Sequence, residues 1–244
     1  MTNLFSVEGK TAIVTGASRG NGLAIASGLS ELGCSVYNLD IIDVPEDTSI
    51  NNIYCDITNS NNVQNIIENI VSVEGKVDIL INNAGVSYSA NILNYTDEMW
   101  DKTHNVNVKS VFNLVKIVVP YMKKLGGSII NITSLNSELA FPDNPAYVSS
   151  KGALKQLSKS LALDLGKYNI RVNNIGPGYM KTKMTEKSWA DLKLRTQRSD
   201  RTVLKRWGCP EDLIGAAVFL SSNASSYVTG QDIYVDGGWT IKGL

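Results

Sequence analysis

The chain has 244 residues, and its 23 Lys and Arg balance 23 Asp and Glu, so the formal net charge is zero. This length suits one sizeable core rather than two. The cancelled charges argue against a nucleic-acid or membrane partner. Three widely spaced cysteines without a Cys-x-x-Cys pair argue against a disulfide framework and a zinc site. We therefore expect a soluble, cytoplasmic protein with no metal and a small-molecule ligand.

The first element is a short apolar strand over residues 11–15 that runs into Gly16-Ala17-Ser18-Arg19-Gly20-Asn21-Gly22. A helix is predicted to follow over residues 23–32. A strand, a glycine turn and a helix together direct backbone N–H groups at a pyrophosphate, and the glycines allow its close approach. The spacing Gly-x-x-x-Gly-x-Gly differs from the usual Gly-x-Gly-x-x-Gly, and a plain tight turn is the alternative.

A second strand over residues 35–39 ends at Asp40, which lies 18 residues past Gly22. A carboxylate there accepts hydrogen bonds from an adenosine ribose and repels a phosphate on the same sugar. Asp40 thus favours NAD over NADP. Arg19 argues the other way, since its guanidinium could pair with that phosphate. We give more weight to Asp40.

Two further strands are predicted, over residues 53–55 and 77–81, with a helix over 61–73 between them. Asp56 follows the third strand, where it either contacts adenine or caps the helix region. The fourth strand ends in Asn82-Asn83-Ala84-Gly85. These small residues would let a cofactor approach the backbone, and the alternative is an ordinary turn at the end of a strand.

Residues 96–124 have a helical pattern that Pro120 should kink or break near its end. Asn107 sits in the apolar half, either as a satisfied core residue or as a site residue. His104, the only histidine, lies in the polar half. We favour a structural role for it over a Ser-His-Asp triad.

An apolar strand over residues 129–132 precedes Ser134, whose hydroxyl should lie at the carboxyl end of the sheet, where ligands bind. A helix is predicted over residues 147–165. Tyr147 and Lys151 are four residues apart in it and share a face. A phenol has a pKa near ~10, and a nearby ammonium lowers this value, so the pair predicts an acid/base.

The remaining chain alternates in the same way. A strand over residues 170–175 leads into Gly176-Pro177-Gly178, and a last helix over 210–220 precedes a strand over 231–235. The polar segment 179–206 is a candidate lid or substrate loop. Alternating strands and helices predict a single α/β domain over residues 1–244 with a doubly wound parallel sheet.

In their joint order these motifs resemble the short-chain dehydrogenase/reductase family over essentially the whole chain. The resemblance implies one Rossmann-type domain with a seven-stranded parallel sheet flanked by helices. It makes Tyr147 the proton donor or acceptor for the reacting oxygen and Ser134 its hydrogen-bond partner. Lys151 lowers the pKa of Tyr147 and binds the nicotinamide ribose, and Asn107 supports a proton relay to Lys151.

The resemblance also implies a dinucleotide site. Asp40 and Asp56 match adenosine contacts, and Ile175 and Thr182 match contacts on the nicotinamide side. Asn21 and Gly176 are departures, since an aliphatic residue and alanine are common there. The implied cofactor-binding residues are Gly16, Ser18, Arg19, Asn21, Gly22, Asp40, Asp56, Ile57, Asn83, Ala84, Gly85, Tyr147, Lys151, Pro177, Gly178 and Thr182.

The implied function is NAD-dependent hydride transfer between the nicotinamide and a secondary alcohol or ketone. The ending at residues 235–239 resembles enzymes of sugars, sugar acids and polyols. Polar residues that could line the substrate side suit a polyhydroxylated compound, namely Ser87, Asn136, Glu138 and Asn144. The alternative is a 3-oxoacyl-[acyl-carrier-protein] reductase using NADPH, and a third reading is a non-catalytic nicotinamide-binding protein. The resemblance further implies a homo-oligomer, a dimer or a homotetramer.

Overall fold

The computed structural model describes residues 3–42 and 49–243. The predicted domain over residues 1–244 also includes residues 1, 2, 43–48 and 244, which lie outside the described part.

The described residues form one seven-stranded sheet in which every paired strand is parallel, in the order β3-β2-β1-β4-β5-β6-β7. The order reverses between β1 and β4, which is where open α/β sheets bind their ligands. This confirms the predicted doubly wound parallel sheet. The strands are β1 Thr11–Thr15, β2 Ser35–Asp40, β3 Asn51–Tyr54, β4 Ile79–Asn82, β5 Gly127–Ile132, β6 Ile170–Pro177 and β7 Asp232–Val235.

Helices cover both faces of the sheet and bury two apolar clusters against it. Isoleucines, valines and leucines of the strands alternate between the clusters, because successive side chains of a strand point to opposite faces. The helices are α1 Gly20–Glu31, α2 Ser60–Glu74, α3 Asp97–His104, α4 Ser110–Met122, α5 Pro145–Leu165, α6 Glu186–Ala190, α7 Leu192–Arg201 and α8 Ile214–Ser221. Helices α2, α4 and α5 contribute to one cluster, and α1 and α8 to the other. Within the described ranges, no helix combines the length and the hydropathy that a membrane crossing needs.

A row of polar side chains crosses the buried half of the sheet. Asn82, Asn131, Asn174 and Asp232 are paired in register on four neighbouring strands. Asn82 donates to Asn131 at 2.7 Å, and Asn174 donates to Asp232 at 2.7 Å. Ser158 of α5 joins the two halves, because it accepts from Asn131 at 2.7 Å and donates to Asn174 at 2.6 Å. Helix α5 is thereby fixed to the middle of the sheet by hydrogen bonds as well as by apolar packing.

Several boundaries differ from the sequence predictions. Helix α1 begins at Gly20 rather than at residue 23, so Gly22 belongs to the helix. Pro120 does not break its helix, which continues to Met122. A proline this close to the end removes only one hydrogen bond of the ladder. The predicted helix over residues 96–124 is also divided by a π-helical turn at Asn105–Lys109.

The polar segment 179–206 is more ordered than its weak pattern suggested, since it contains α6 and α7. Asp191 caps the N-terminus of α7, and its carboxylate accepts a hydrogen bond from the N–H of Leu194 at 3.0 Å. This is the ordinary capping role of an aspartate at a helix N-terminus. The segment is therefore a pair of short helices rather than an open loop.

Candidate active site

The end of β1 is tied to the end of β4 by a set of short hydrogen bonds. The hydroxyl of Thr15 accepts from the N–H groups of Asn83 and Ala84 at 3.1 and 3.0 Å. The side-chain amide of Asn83 donates to the carbonyls of Thr15 and Gly16, both at 2.9 Å. The predicted Asn83, Ala84 and Gly85 turn thus holds the predicted glycine turn in place.

Two glycines of this turn, Gly16 and Gly22, allow the turn to pack closely against Asn83 and Ala84. Gly16 has φ of +67°, and a Cβ there would lie 2.8 Å from the Cα of Ala84. A Cβ on Gly22 would lie 2.4 Å from the side-chain nitrogen of Asn83. Arg19 is the N-cap of α1 and makes no side-chain capping hydrogen bond, so it leaves the first N–H groups of the helix uncapped. These features fit the pyrophosphate of a dinucleotide.

Asp40 lies next to the glycine turn at the end of β2. Its carboxylate accepts from the N–H of Ser18 at 3.0 Å and from the N–H of Ile41 at 2.7 Å. Arg19 is exposed. The acidic group that was predicted to distinguish NAD from NADP therefore stands beside the predicted phosphate site.

Asp56 and Ile57 lie beyond the end of β3. The carboxylate of Asp56 accepts from the N–H and the hydroxyl of Thr58 at 2.9 and 2.8 Å, and Ile57 packs against the core. Asn59, not Asp56, is the N-cap of α2, and the adenine contact of Asp56 stays a prediction. Asn21 has a buried side-chain oxygen with no partner among the described residues.

The ends of β6 and β7 lie against each other at Pro177 and Gly178. The N–H of Gly178 donates to the carbonyl of Val235 at 3.0 Å, and a Cβ on Gly178 would lie 2.7 Å from the Cα of Asp236. Ile175 is buried, and its carbonyl accepts from the N–H of Thr133 at 2.8 Å. Beyond this turn the chain returns towards α1, since a Cβ on Gly20 would lie 3.5 Å from Thr182.

Asn107 lies in the π-helical turn, a rare feature that often marks functional sites. Its amide nitrogen donates to the carbonyl of Val86 at 3.0 Å and to the hydroxyl of Ser150 at 3.1 Å. Its oxygen accepts from the N–H of Val86 at 2.9 Å. A Cβ built on Gly85 would lie 3.3 Å from that oxygen and 3.7 Å from the Nζ of Lys151. Asn107 is thus a satisfied buried amide that also stands close to the lysine.

Ser134 and Tyr147 face each other across the start of α5. The N–H of Asn136 donates to the hydroxyl of Ser134 at 3.1 Å, and that hydroxyl is within 3.1 Å of the Asn136 side-chain oxygen. Burial raises the pKa of Tyr147, and a hydrogen bond with Ser134 opposes this shift. The net effect is a raised pKa of Tyr147.

Lys151 lies one helical turn after Tyr147 and is only 4 % exposed. Its ammonium donates to the carbonyl of Ile132 at 2.7 Å and is 5.6 Å from the centre of the Tyr147 ring. Burial lowers the pKa of Lys151 to about 8. The shared face was predicted correctly. Burial is the largest influence on the Tyr147 pKa and raises it, and the lowering by Lys151 stays a prediction.

His104 bonds elsewhere. Its ring nitrogens lie 3.0 Å from the carbonyl of Trp100 and 3.2 Å from the hydroxyl of Ser149. The hydrogen bonds of Ser134 go to Asn136 and Tyr147 instead. The geometry therefore agrees with a structural role for the histidine.

The predicted substrate-side residues have different environments. The Asn144 amide donates to Ser87 at 2.7 Å. Glu138 instead accepts from Tyr234 at 2.8 Å and pairs with Lys155, which holds its pKa below the usual range. Glu138 thus also holds Tyr234 and Lys155 in place, and its role on the substrate side stays a prediction. Ser137 Oγ and Asn144 Oδ1 are buried and have no partner among the described residues.

Two residues that hold the site together were not predicted from the sequence. The hydroxyl of Thr15 holds the Asn83 turn, and Ser150 bonds Asn107. A threonine as the last residue of a strand before a glycine turn is a usable signal for the first. Nothing local distinguishes Ser150 from Ser149, since the choice depends on where α3 and α4 pack against α5.

Comparison with known proteins gives consistent matches over nearly the whole chain. A family model described as enoyl-(acyl carrier protein) reductase matches residues 16–240. Gluconate 5-dehydrogenase of Gluconobacter oxydans is 40% identical over 254 residues, covering 98% of each chain. A 3-oxoacyl-[acyl-carrier-protein] reductase of Thermotoga maritima is 36% identical, covering 96% of this chain and 99% of the relative.

Among solved structures, the gluconate 5-dehydrogenase of Burkholderia cenocepacia in complex with NADP and tartrate superposes with a TM-score of 0.92. It is 33% identical, and the match covers 98% of each chain. The chain therefore belongs to the short-chain dehydrogenase/reductase family and is an NAD(P)-dependent oxidoreductase that acts on secondary alcohols or ketones.

Proposed function

We propose that this protein reversibly oxidises a secondary alcohol of a sugar acid to the ketone, with NAD as the hydride acceptor. The observation that carries the reaction type is the group of Ser134, Tyr147 and Lys151 at the carboxyl end of β5 and the start of α5. The bound nicotinamide dinucleotide supplies the hydride acceptor or donor. The chain supplies orientation and a path for the proton.

Tyr147 takes the proton from the substrate hydroxyl in oxidation and returns it to the ketone oxygen in reduction. Ser134 donates a hydrogen bond to the same oxygen and stabilises the charge that develops on it. Since burial raises the pKa of Tyr147, its phenol is the stable form when the site is empty. Oxidation therefore depends on a positive charge that favours the phenolate, and reduction finds the proton already in place.

Lys151 is the nearby source of that charge. Its pKa of about 8 allows the ammonium to dominate at neutral pH while remaining able to exchange a proton. The Asn107 oxygen and the lysine Nζ both lie near Gly85, and Asn107 supports the proton path to Lys151. Tyr147 is thus the acid/base. Lys151 favours its phenolate form, and Lys151 and Asn107 together provide the path by which it regains a proton.

Asp40 supports NAD as the preferred form of the cofactor. Its carboxylate is directed at the glycine turn through Ser18, where it would repel a phosphate on the adenosine ribose. The Burkholderia relative was solved with NADP, and a relative from Listeria innocua is named an NAD-dependent glycerol dehydrogenase, so relatives in this family use either form. The glycine turn, Asn83 and the Pro177-Gly178 turn would hold the parts that both forms share.

A polyhydroxylated substrate such as a sugar acid is supported by two buried polar atoms in the segment between Ser134 and Tyr147. Ser137 Oγ and Asn144 Oδ1 have no hydrogen-bond partner among the described residues, and buried polar atoms are rarely left so. Hydroxyl groups of a sugar chain both donate and accept, so they could satisfy these atoms. Relatives named for gluconate and for 5-keto-D-gluconate are consistent with this substrate class.

We also propose that the enzyme works as a homo-oligomer, a dimer or a homotetramer, in a reducing cytoplasm. Its three cysteines are free thiols, and burial raises the pKa of Cys34 to about 12. Phe112 of α4 and Leu163 of α5 are 44% and 85% exposed, which suits helices that pair between subunits.

Analytical sedimentation is expected to give a dimer or tetramer mass, and a monomer would contradict the assembly.

Tyr147→Phe is expected to lower kcat for gluconate oxidation with NAD by at least ~100-fold, because it removes the proton acceptor. NADH formation should be measured for gluconate, for neutral polyols and for a 3-hydroxyacyl thioester. Tyr121→Phe, a half-buried core position, is the matched control and should retain activity. Activity with the thioester and NADP alone would favour the acyl-carrier-protein reductase instead.

Asp40→Ala is expected to lower the ratio of kcat/KM with NAD to that with NADP by about tenfold or more, since it removes a charge that repels the extra phosphate. Initial rates with both cofactors at saturating gluconate measure the ratio. Asp164→Ala, exposed on α5, is the control for loss of a negative charge. An unchanged ratio in Asp40→Ala would show that another group selects the cofactor.

Lys151→Met is expected to stabilise the protein at pH 7 by about 2 kcal/mol, because a buried lysine with a lowered pKa is destabilising while it is ionised. The pKa of Lys151 is about 8 in the folded protein, against 10.5 ordinarily. Between these two pH values the unfolded chain binds more protons than the folded chain, so the stability of the parent rises with pH. The difference in the free energy of unfolding between Lys151→Met and the parent therefore shrinks. Urea unfolding at pH 7 and pH 10 measures it. A constant difference would refute the assigned cause.

A further inference from the structure

The segment 181–206 concentrates positive charge in a chain that is neutral overall. It holds nine Lys and Arg residues against three Asp and Glu, while the whole chain has 23 of each kind. Much of this charge lies on α6 and α7, which follow the Pro177-Gly178 turn. A patch of one sign beside a cleft raises the local concentration of oppositely charged ligands. This edge of the molecule therefore favours an anion.

Two aromatic rings lie beside the guanidinium of Arg198 of α7, whereas Arg195 and Arg201 each lie beside one ring. The Cζ atom of Arg198 lies 4.4 Å from the ring centre of Tyr179 and 5.8 Å from that of Trp207. Trp207 is itself only 6 % exposed. Stacking of this kind fixes a guanidinium plane while leaving its N–H edge free to bond.

The rings that hold Arg198 connect it to the substrate side of the sheet. Tyr179 directly follows Gly178 at the end of β6 and lies 5.0 Å from the ring of Trp239. Phe141, in the segment between Ser134 and Tyr147, is 6.2 Å from Tyr179 and 6.4 Å from Trp239. Arg198 thus packs against an aromatic cluster that includes Phe141, a residue of the segment between Ser134 and Tyr147.

One nitrogen of this guanidinium, Nη1, is buried and has no hydrogen-bond partner among the described residues. By contrast, Arg206 pairs with Asp212 and Arg171 donates to the carbonyl of Leu220. A buried donor without an acceptor costs free energy, and a guanidinium cannot lose its proton to avoid this cost. The unsatisfied N–H of Arg198 therefore indicates an acceptor supplied by a ligand.

We propose that Arg198 binds the carboxylate of the sugar-acid substrate and determines specificity for acids over neutral polyols. This inference rests on the proposed function and names the group that recognises its substrate. A carboxylate matches the planar N–H edge of an arginine through paired, charge-assisted hydrogen bonds. A cofactor phosphate offers the same chemistry, but the phosphate site lies at the glycine turn, where Arg19 already stands.

The test compares gluconate with sorbitol, a six-carbon polyol without a carboxylate. Arg198→Ala is expected to raise KM for gluconate at least ~10-fold, with KM for sorbitol and for NAD unchanged. Arg198→Lys, which keeps the charge but not the fork, should be intermediate. Arg201→Ala is the matched control, because Arg201 is exposed and its Cζ lies 5.8 Å from the ring centre of Trp239. It should leave all three KM values unchanged.

Two outcomes would overturn the inference. An equal loss with gluconate and sorbitol would make Arg198 a structural member of the aromatic cluster. A raised KM for NAD alone would make it a cofactor contact. Thermal unfolding of each variant shows whether it folds, and Arg198→Gln replaces the alanine variant if that one does not.

A binding measurement separates this inference from the proposed function. Gluconate should change the tryptophan fluorescence of the parent, since Trp207 adjoins Arg198, and Arg198→Ala should lose this change. Binding that depends on Arg198 without any turnover would support the inference and contradict the proposed function. Turnover of gluconate that is insensitive to Arg198→Ala would support the proposed function and contradict the inference.

Discussion

The hydrogen bond from the buried ammonium of Lys151 to the carbonyl of Ile132 is the interaction on which the arrangement of the site depends. Removing an ammonium from water is costly, so it persists only where the surrounding structure holds it firmly. Here α5 carries the lysine, and the end of β5 provides the acceptor. Tyr147 is on the same face of α5, so the position of the phenol follows from the bond made by the lysine.

The row of amides across the sheet holds α5 in this position. Ser158, two turns after Lys151, is hydrogen-bonded to Asn131 and Asn174, while Lys155 pairs with Glu138 and Asp232. Helix α5 therefore cannot slide along the sheet without leaving several buried polar groups unsatisfied. At the other end of the site, Thr15 and Asn83 fix the glycine turn by the same kind of bonding. The proton-handling and phosphate-binding halves are thus held to one sheet edge.

Much of this could be predicted from the sequence because it depends on local spacing. Apolar runs separated by helical patterns predicted the parallel sheet, and the four-residue spacing predicted the common face of Tyr147 and Lys151. The upward shift that burial gives the Tyr147 pKa was not predicted, since burial depends on tertiary packing. The amide row was missed because strand register cannot be deduced from one sequence. The bond from Tyr234 to Glu138 was missed because the two residues are distant in the chain. The rings around Arg198 were missed because they reach it only through tertiary packing.

The central claim is that this sheet edge transfers a hydride from a carbinol carbon of a sugar acid to the nicotinamide. The most direct measurement uses gluconate deuterated at its carbinol carbons, with NAD and the parent protein, followed by mass spectrometry of the nucleotide. Deuterium is expected to appear in the reduced nucleotide, together with a keto acid. Reduced nucleotide without deuterium, or no reduction at all, would contradict it.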